Sequence, residues 1–262
     1  MMIKSITELI ANIKTDLATW DACAKPWFRG ESGNKPPLCP EIAQHTAQEE
    51  NYLSQSFRRQ AGGLANVPLR EYTDMWLFLA QHYGLPTRLL DWTEGALHAL
   101  YFVINRGAPN PRIYMLNPHK LNELAGSKTY FPNYPLSWNK GGGLYIALAW
   151  QNRVLDKKQL DEAERIGLNL NIPLAFPATY QDQRMIAQRS CFTIHGTALE
   201  PLSDILKQNK MVVNDCMFEY KIDTGARVDL LRELSILGLS AATIFPDLDH
   251  LAKDLTNDIK GF

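Results

Sequence analysis

The stretch QHYGLPTRLLDWTEGALHALYF, residues 81–102, decides how the rest of this sequence is interpreted. Its first half crowds polar and aromatic side chains into a turn, because the preceding helix (70–84) ends at Gly84 and Pro86 prevents its continuation. Its second half continues to residue 105 as a helix that is apolar on nearly every side. The stretch therefore predicts a polar turn feeding a helix buried at the centre of the domain.

Composition limits the class of protein. The chain has 262 residues, 45% of them apolar and 21% charged, which are globular values and allow a sizeable core. The net charge of −1 excludes a globally basic nucleic-acid footprint, although a local patch stays possible. Four widely spaced cysteines without a C-x-x-C pair argue against zinc and disulfide frameworks. Since no run of 18 apolar residues and no signal-peptide core occurs, we expect a reduced, cytoplasmic protein.

Hydrophobic periodicity predicts an α+β fold in one domain over residues 1–262, with a mixed central sheet flanked by helices. Strands and helices do not alternate regularly, so a doubly wound sheet is disfavoured. The triple glycine at 141–143 lacks the Lys-Ser/Thr of a phosphate loop and is interpreted as a flexible turn. The predicted helices are 5–20, 41–60, 70–84, 92–105, 154–166, 226–237 and 247 onward, and the predicted strands are 27–30, 112–117, 143–149, 170–176, 191–195 and 217–222.

An arginine beside a glycine marks the first candidate strand, in WFRGESGNKPPLCPEI, residues 27–42. Gly30 would let a planar ligand approach the backbone, while the Arg29 guanidinium suits bidentate recognition of phosphate or carboxylate. A structural salt bridge to Asp91 or another acid explains the same arginine. Both interpretations stay open from the sequence.

Asp91 also has two interpretations. Asp91-x-x-Glu94 matches a capping box, in which the two side chains satisfy free N–H groups at the start of a helix. That motif does not account for the adjacent Arg88, and a helix N-terminus also attracts anionic groups such as phosphate. Asp91 is thus either a cap or part of an anion site.

The third candidate stretch is DQRMIAQRSCFTIHG, residues 182–196. Arg184 and Gln188 are four residues apart, so one helical turn would place them on the same face. His195 is interpreted as a hydrogen-bonded histidine at a strand end. The sequence contains no H-E-x-x-H, G-x-S-x-G or G-x-G-x-x-G motif, and no metal site is predicted.

Three pieces in this order resemble the FRG-domain family, named for its Phe-Arg-Gly tripeptide: WFRG (27–30), QHYGLPTRLLDWT (81–93) and RMIAQRSCFTIHG (184–196). TIFPDLDHLAKDL (243–255) resembles the tail of the family. The resemblance covers about residues 20–255.

The order of these motifs is similar to that of the ADP-ribosyltransferase superfamily, which implies a strongly twisted mixed sheet and NAD as co-substrate. By that resemblance Gly30 would hold the nicotinamide amide through its backbone, and Arg29 would hold the ribose or pyrophosphate. Gln188 stands where a glutamate is expected, so Asp91 or Glu31 is a candidate replacement carboxylate. The implied catalytic residues are Arg29, Thr87, Asp91 and Gln188. The implied NAD-binding residues are Phe28, Arg29, Gly30, His82, Tyr83, Arg88, Trp92 and Arg184.

The implied reaction is transfer of ADP-ribose to a macromolecule, with a base of single-stranded RNA or DNA as the favoured acceptor. The resemblance also implies a bacterial toxin or phage-defence effector with a neutralising antitoxin or a chaperone, and no membrane. With water as acceptor the protein would be an NAD glycohydrolase. The rivals are a non-catalytic nucleotide or nucleic-acid binding module and a structural interaction domain. The local side chains that suit nucleic acid are Arg58, Arg59 and Arg70 with Tyr52, Phe57 and Tyr72.

Overall fold

The computed structural model describes residues 2–21, 25–33, 37–64, 67–105, 107, 109–126, 140–151, 153–178, 180, 182–210 and 212–260. It is an α+β structure built on one mixed seven-stranded sheet with the order β1-β7-β4-β2-β3-β6-β5. Only the β1–β7 pair is parallel, and the other neighbours are antiparallel. The strands are β1 Met2–Ile3, β2 Trp27–Glu31, β3 Leu89–Thr93, β4 Arg112–Leu116, β5 Leu174–Pro177, β6 Ser190–Ile194 and β7 Met217–Ile222.

Helices connect these strands, together with 3-10 turns at Glu41–Gln44 and Thr224–Ala226. Several of them begin with a side-chain cap; Thr46 and Glu49, for example, form a capping box. The α-helices are α1 Ile6–Leu17, α2 Ala47–Ala61, α3 Thr73–His82, α4 Ala96–Asn105, α5 Pro118–Leu124, α6 Lys140–Trp150, α7 Lys157–Arg165, α8 Gln183–Ala187, α9 Leu202–Gln208, α10 Val213–Cys216, α11 Arg227–Ile236, α12 Ala241–Ile244 and α13 Leu248–Lys260.

Alternate residues of the central strands enter two different cores, as the period of two in a strand requires. Phe28, Ile113 and Met115 pack in one core with α1, α4 and α11. Trp27 and the residues of β4 that alternate with these pack in the other core, with α5, α6 and α9. The sheet thus separates two apolar clusters, and α4 is the central helix of the first.

Gly30 lies directly under α4, and this explains why the second strand carries a glycine there. A Cβ atom built on Gly30 would stand 2.4 Å from the carbonyl oxygen of Ala99 and 3.1 Å from the Cβ of Val103. A side chain would push α4 off the sheet. The close approach that the sequence predicted for a ligand is made by a helix of the same chain.

Most of the predicted elements are present, but two differ, and several short elements, among them β1, β3, α5 and α9, were not predicted. Residues 143–149 were predicted as a strand after a flexible turn, whereas Lys140–Trp150 forms α6. Its apolar run is buried as a helix, and a short apolar run does not distinguish the two by periodicity. The helix predicted over 92–105 begins only at Ala96, because residues 89–93 pair with β6.

Candidate functional site

A cleft opens where the sheet is incompletely joined. β2 forms five residue pairs with β4, and β3 forms five with β6, but β2 and β3 pair only at Phe28 and Thr93. The cleft between them has a volume of about 360 Å³. We call it the β2–β3 cleft. Its charged and amide groups, with one serine, come from β2, β3, β6, the end of α3, α8 with the residue after it, and the 3-10 turn at Glu41–Gln44. They are Arg29, Glu41, Gln81, Asp91, Arg184, Gln188 and Ser190.

Arg29 projects from β2 and is held by acidic and carbonyl oxygens. Its Nε donates a hydrogen bond to Glu31 (2.6 Å) and its Nη1 donates to the backbone carbonyl of Asp91 (2.7 Å). The Asp91 carboxylate lies 3.8 Å from the same Nη1. Partial burial opposes the charge of Arg29, but Glu31 and Asp91 outweigh it and raise its pKa. Arg29 is therefore salt-bridged and also lines the cleft, so both sequence interpretations of this residue describe part of its environment.

Asp91 lies in the middle of β3, opposite Phe192 of β6, and 58% of its side chain is exposed. The capping-box interpretation is wrong, because α4 begins five residues later at Ala96. Instead Gln81 of α3 donates its amide N–H to the Asp91 carboxylate at 2.7 Å. Asp91 thus presents a carboxylate to the cleft with one oxygen positioned by an amide.

Thr87 reaches the cleft only through Gln81. Its side chain is buried, and its hydroxyl donates to the Gln81 side-chain oxygen while accepting from the N–H of Leu89. Together Thr87, Gln81 and Asp91 form one hydrogen-bonded chain from the core to the cleft. The sequence analysis named Thr87 as a candidate but not Gln81. The available signal was the position of Gln81 at the end of α3, just before the polar turn.

The opposite wall comes from α8, which begins at Asp182 with a side-chain cap on Met185. Arg184 and Gln188 both line the cleft, as their four-residue spacing predicts. The Arg184 guanidinium lies 4.9 Å from the centre of the Phe245 ring, a cation–π contact. No carboxylate within the described ranges pairs with Arg184, so its donors face the cleft.

Gln188 is fixed by its neighbours. The Gln188 side-chain amide donates to the backbone carbonyl of Ile244 (3.3 Å). The backbone carbonyl of Gln188 accepts from the Thr93 hydroxyl (2.7 Å). An amide at this position orients groups but supplies no charge.

His82 lies in a side pocket of about 130 Å³ that also borders Asp91 and Arg184. Its Nδ1 is 3.2 Å from the carboxylate of Asp182, the residue that caps α8. The Nδ1 contact leaves Nε2 as the ring nitrogen available to a ligand.

Arg88 does not line the cleft. Its side chain is 1% exposed, its Nε and Nη2 donate to the carboxylate of Glu50, and its Nη1 donates to the carbonyl of Gly196. Arg153 also donates to Glu50, at 2.6 Å. The expectation that Arg88 faces the same cleft as Arg29 is therefore wrong, because a buried carboxylate on α2 takes up its donors.

None of three aromatic candidates offers an open ring face to the β2–β3 cleft. Phe28 and Trp92 border the cleft, but each is at most 4% exposed, and the Trp92 indole donates to the Thr193 hydroxyl. Tyr83 is 65% exposed but lies in a different, apolar groove. The rings that do face the β2–β3 cleft are Phe102 and Phe245, which meet edge to face at 6.0 Å.

His195 is completely buried at the end of β6. Burial and, secondarily, the charge of Arg88 lower its pKa to about 3, so the ring is neutral. Its backbone N–H donates to the carbonyl of Arg88. Among the described residues neither ring nitrogen has a hydrogen-bond partner, so the prediction of a hydrogen-bonded ring is wrong. His195 lies beside Arg88 in the core and does not line the cleft.

Within the ranges that the structure describes, no three His, Cys, Asp or Glu side chains are close enough to hold a metal ion. Cys39, Cys191 and Cys216 are free thiols, and Cys23 lies outside the described residues. Among the described helices, none has the length and apolar character needed to cross a membrane.

Residues 24–111 match the family model described as FRG domain, so the chain carries an FRG domain. The match includes the strand with Arg29 and the segment with Asp91, and it ends before α8. No curated protein and no solved structure matches the chain significantly.

Proposed function

We propose that the β2–β3 cleft binds NAD and that the protein transfers ADP-ribose from it to an acceptor. The observation that carries the proposal is the convergence of two guanidinium groups, Arg29 and Arg184, with the carboxylates of Asp91 and Glu41 on a single cleft. Guanidinium forks suit the pyrophosphate of a dinucleotide. The cleft volume of about 360 Å³ lies within the range of small-molecule sites.

The apolar wall supports a place for the nicotinamide ring. Phe102 and Phe245 line the cleft, and Phe245 already makes a cation–π contact with Arg184. A flat heteroaromatic ring is stabilised by offset or edge contacts with such rings. This contact takes the place of one with Tyr83 or Trp92, which the family resemblance implied as NAD-binding residues.

We assign to Asp91 the role of stabilising the positive charge that develops on the ribose during the reaction. When the bond between ribose C1′ and the nicotinamide nitrogen breaks, its electron pair leaves with nicotinamide and positive charge develops at C1′. A preorganised carboxylate stabilises that charge. Glu31 is committed to Arg29, and Gln188 is uncharged, so Asp91 with its Gln81 hydrogen bond fits this role better.

The acceptor atom then bonds to C1′ and releases its proton. His82 is assigned as the base that takes this proton on Nε2, because Asp182 holds its Nδ1. A histidine oriented by a carboxylate is a common general base. With water as acceptor the same steps amount to NAD hydrolysis.

The test is release of nicotinamide from labelled NAD, measured with and without single-stranded RNA, single-stranded DNA and cell extract. Release that depends on Asp91 and His82 is the expected result. Glu94→Gln is a matched control, since Glu94 lies three residues from Asp91 in an exposed pair with Arg189. Absence of release in every mixture contradicts the transferase proposal.

A non-catalytic nucleotide-binding module is the second candidate, and Gln188 favours it. The position where the superfamily places a glutamate carries an amide that hydrogen-bonds a backbone carbonyl. Calorimetry with NAD separates the two candidates: saturable binding that weakens in Arg184→Ala, without nicotinamide release, selects the binding module.

A further inference from the structure

A second surface rich in arginine lies outside the β2–β3 cleft, between α2 and the segment that leads into α3. Arg58, Arg59 and Arg70 line a groove of about 520 Å³ together with Pro68 and Trp76. Arg59 and Arg70 are exposed, and Arg58 is half-buried. We call this the arginine groove.

The arginine groove concentrates positive charge on three neighbouring side chains. Arg58 packs over the rings of Trp76 (5.5 Å) and Trp150 (4.9 Å) and donates to the backbone carbonyl of Arg70 (2.6 Å). In the part of the chain with described placement, no carboxylate pairs with any of the three arginines. Burial and the neighbouring charge of Arg70 lower the pKa of Arg58. Like charges held together in this way are stabilised by an anion from outside the chain.

An apolar groove continues from the arginine groove between α2 and α3. Ser56 lines both, and the second groove has a volume of about 470 Å³. Two aromatic rings stand out along it, Tyr52 on α2 and Tyr83 just after α3, which are 69% and 65% exposed. Exposed rings beside a cationic groove are the combination that binds single-stranded nucleic acid, because bases stack on the rings while phosphates contact the cations.

Helix α3 joins these grooves to the β2–β3 cleft. Trp76 lies in the arginine groove, whereas Gln81 and His82, near the end of the same helix, border the cleft and its side pocket. With a rise of 1.5 Å per residue, about 8 Å along the axis separates the two sets. A chain lying in the grooves therefore passes within a short distance of His82.

We propose that single-stranded nucleic acid binds along this track, with phosphates at Arg58, Arg59 and Arg70 and bases stacked on Tyr52 and Tyr83. Only the further claim that this strand supplies the ADP-ribose acceptor rests on the proposed function. A duplex is excluded from the track because its bases are already stacked on each other. An acidic peptide would use the arginines but leaves the row of exposed tyrosines without a role.

The test is fluorescence anisotropy of a labelled dT12 oligonucleotide and of the same strand in a duplex, in the absence of NAD. We expect tighter binding of the single strand, with an affinity that falls as salt rises through counterion release. The double variant Arg59→Ala/Arg70→Ala should bind at least tenfold more weakly and show a shallower salt dependence. Arg165→Ala and Arg232→Ala, at exposed arginines of α7 and α11, are the controls and should bind normally.

Tyr52→Ala and Tyr83→Ala should each weaken binding about tenfold while leaving the salt dependence unchanged, because stacking carries no charge. Equal affinity for the duplex, equal competition by a poly-glutamate peptide, or normal binding by the double arginine variant would each overturn the proposal. Asp91→Asn should bind the oligonucleotide normally. Failure of the NAD reaction with intact oligonucleotide binding would therefore refute the transferase and leave this surface standing.

Discussion

Arg29 and Arg88 both lie in the stretch that matches the FRG domain, residues 24–111, yet the structure gives them opposite environments. Arg88 is 1% exposed and donates to Glu50 and to the carbonyl of Gly196. Arg29 is 22% exposed and lines a cleft, held by Glu31 and by the backbone of Asp91. One arginine joins α2 to the edge of β3, and the other lies at the opening between β2 and β3.

The difference shows what each carboxylate does. Glu50 is 4% exposed and accepts from both Arg88 and Arg153, so its removal would strand two charges in or near the core. Glu31 and Asp91 surround an arginine that keeps contact with solvent. Removing one member of the buried Arg88–Glu50 pair leaves an uncompensated charge in the core, so the stability of the fold depends on both members. The partly exposed pair of Arg29 and Glu31 contributes less to stability and leaves the Arg29 guanidinium accessible to a ligand.

The largest effect is expected from Glu50→Gln. It should lower the free energy of unfolding by about 3–5 kcal/mol, because Arg88 and Arg153 lose the carboxylate that they share. Urea unfolding measures this change. Glu123→Gln, in the exposed pair with Lys120, should cost less than about 1 kcal/mol. Equal losses of unfolding free energy in the two variants would show that burial of the Glu50 network adds nothing to its contribution to stability.

Asp91→Asn tests the open site. The strand should form normally, because an amide oxygen still accepts from Gln81, and the unfolding free energy should change by less than about 1 kcal/mol. Nicotinamide release should fall about 100-fold, equivalent to about 2.7 kcal/mol of transition-state stabilisation. Glu94→Gln should be fully active. Full turnover by Asp91→Asn would remove Asp91 from the mechanism.

Much of the fold follows from local sequence. β4, β6 and β7 begin and end within a residue or two of their predicted bounds, since alternation and turn residues specify them. α6 was missed because a short buried apolar run suits a helix as well as a strand. The start of α4 was misplaced because pairing with β6 outweighs the capping preference of Asp91, a tertiary effect that a local pattern does not contain.

The candidate site was predictable only in part. The sequence identified Arg29, Asp91, Arg184 and Gln188, because charged and amide side chains beside apolar strands are unusual. It could not separate Arg88 from Arg29, since the partner that buries Arg88 is Glu50, 38 residues away on another helix. Gln81 was missed for the same reason, because its role depends on contacts with Thr87 and Asp91 that only the folded chain creates.

The free energy of unfolding should also depend on pH, because His195 is buried close to Arg88. The pKa of this histidine is lowered to about 3 by burial and by the nearby Arg88, against about 6.5 in the unfolded chain. Below pH 6.5 the unfolded state binds the proton and the folded state does not, so stability falls as pH falls from 6.5 towards 3. The loss at pH 5 should be about 2 kcal/mol.

The measurement is urea unfolding at pH 7 and pH 5. His195→Gln removes the titrating ring and should show a smaller drop between the two pH values than the natural chain. His250→Gln, at a partly exposed histidine beside Asp247, should retain most of the drop. An unchanged pH dependence in His195→Gln would mean that other groups cause it.

The smallest changes that distinguish the roles of Arg29 and Arg88 are the substitutions of each arginine by lysine. Lysine keeps the positive charge but loses the planar fork. Arg29→Lys should lower nicotinamide release about tenfold, or about 1.4 kcal/mol, while the unfolding free energy changes by less than about 1 kcal/mol because lysine still pairs with Glu31. Arg88→Lys should do the reverse. It loses hydrogen bonds to Glu50 and Gly196 at a buried site, which costs about 1–3 kcal/mol of stability, while the remaining folded protein turns over normally.

Activity measured per folded molecule, from the amplitude of the unfolding transition, separates the two outcomes. If Arg29→Lys lost stability as Arg88→Lys does and kept its turnover, Arg29 would be a second structural ion pair and the cleft would lose one of the two cations on which its assignment rests.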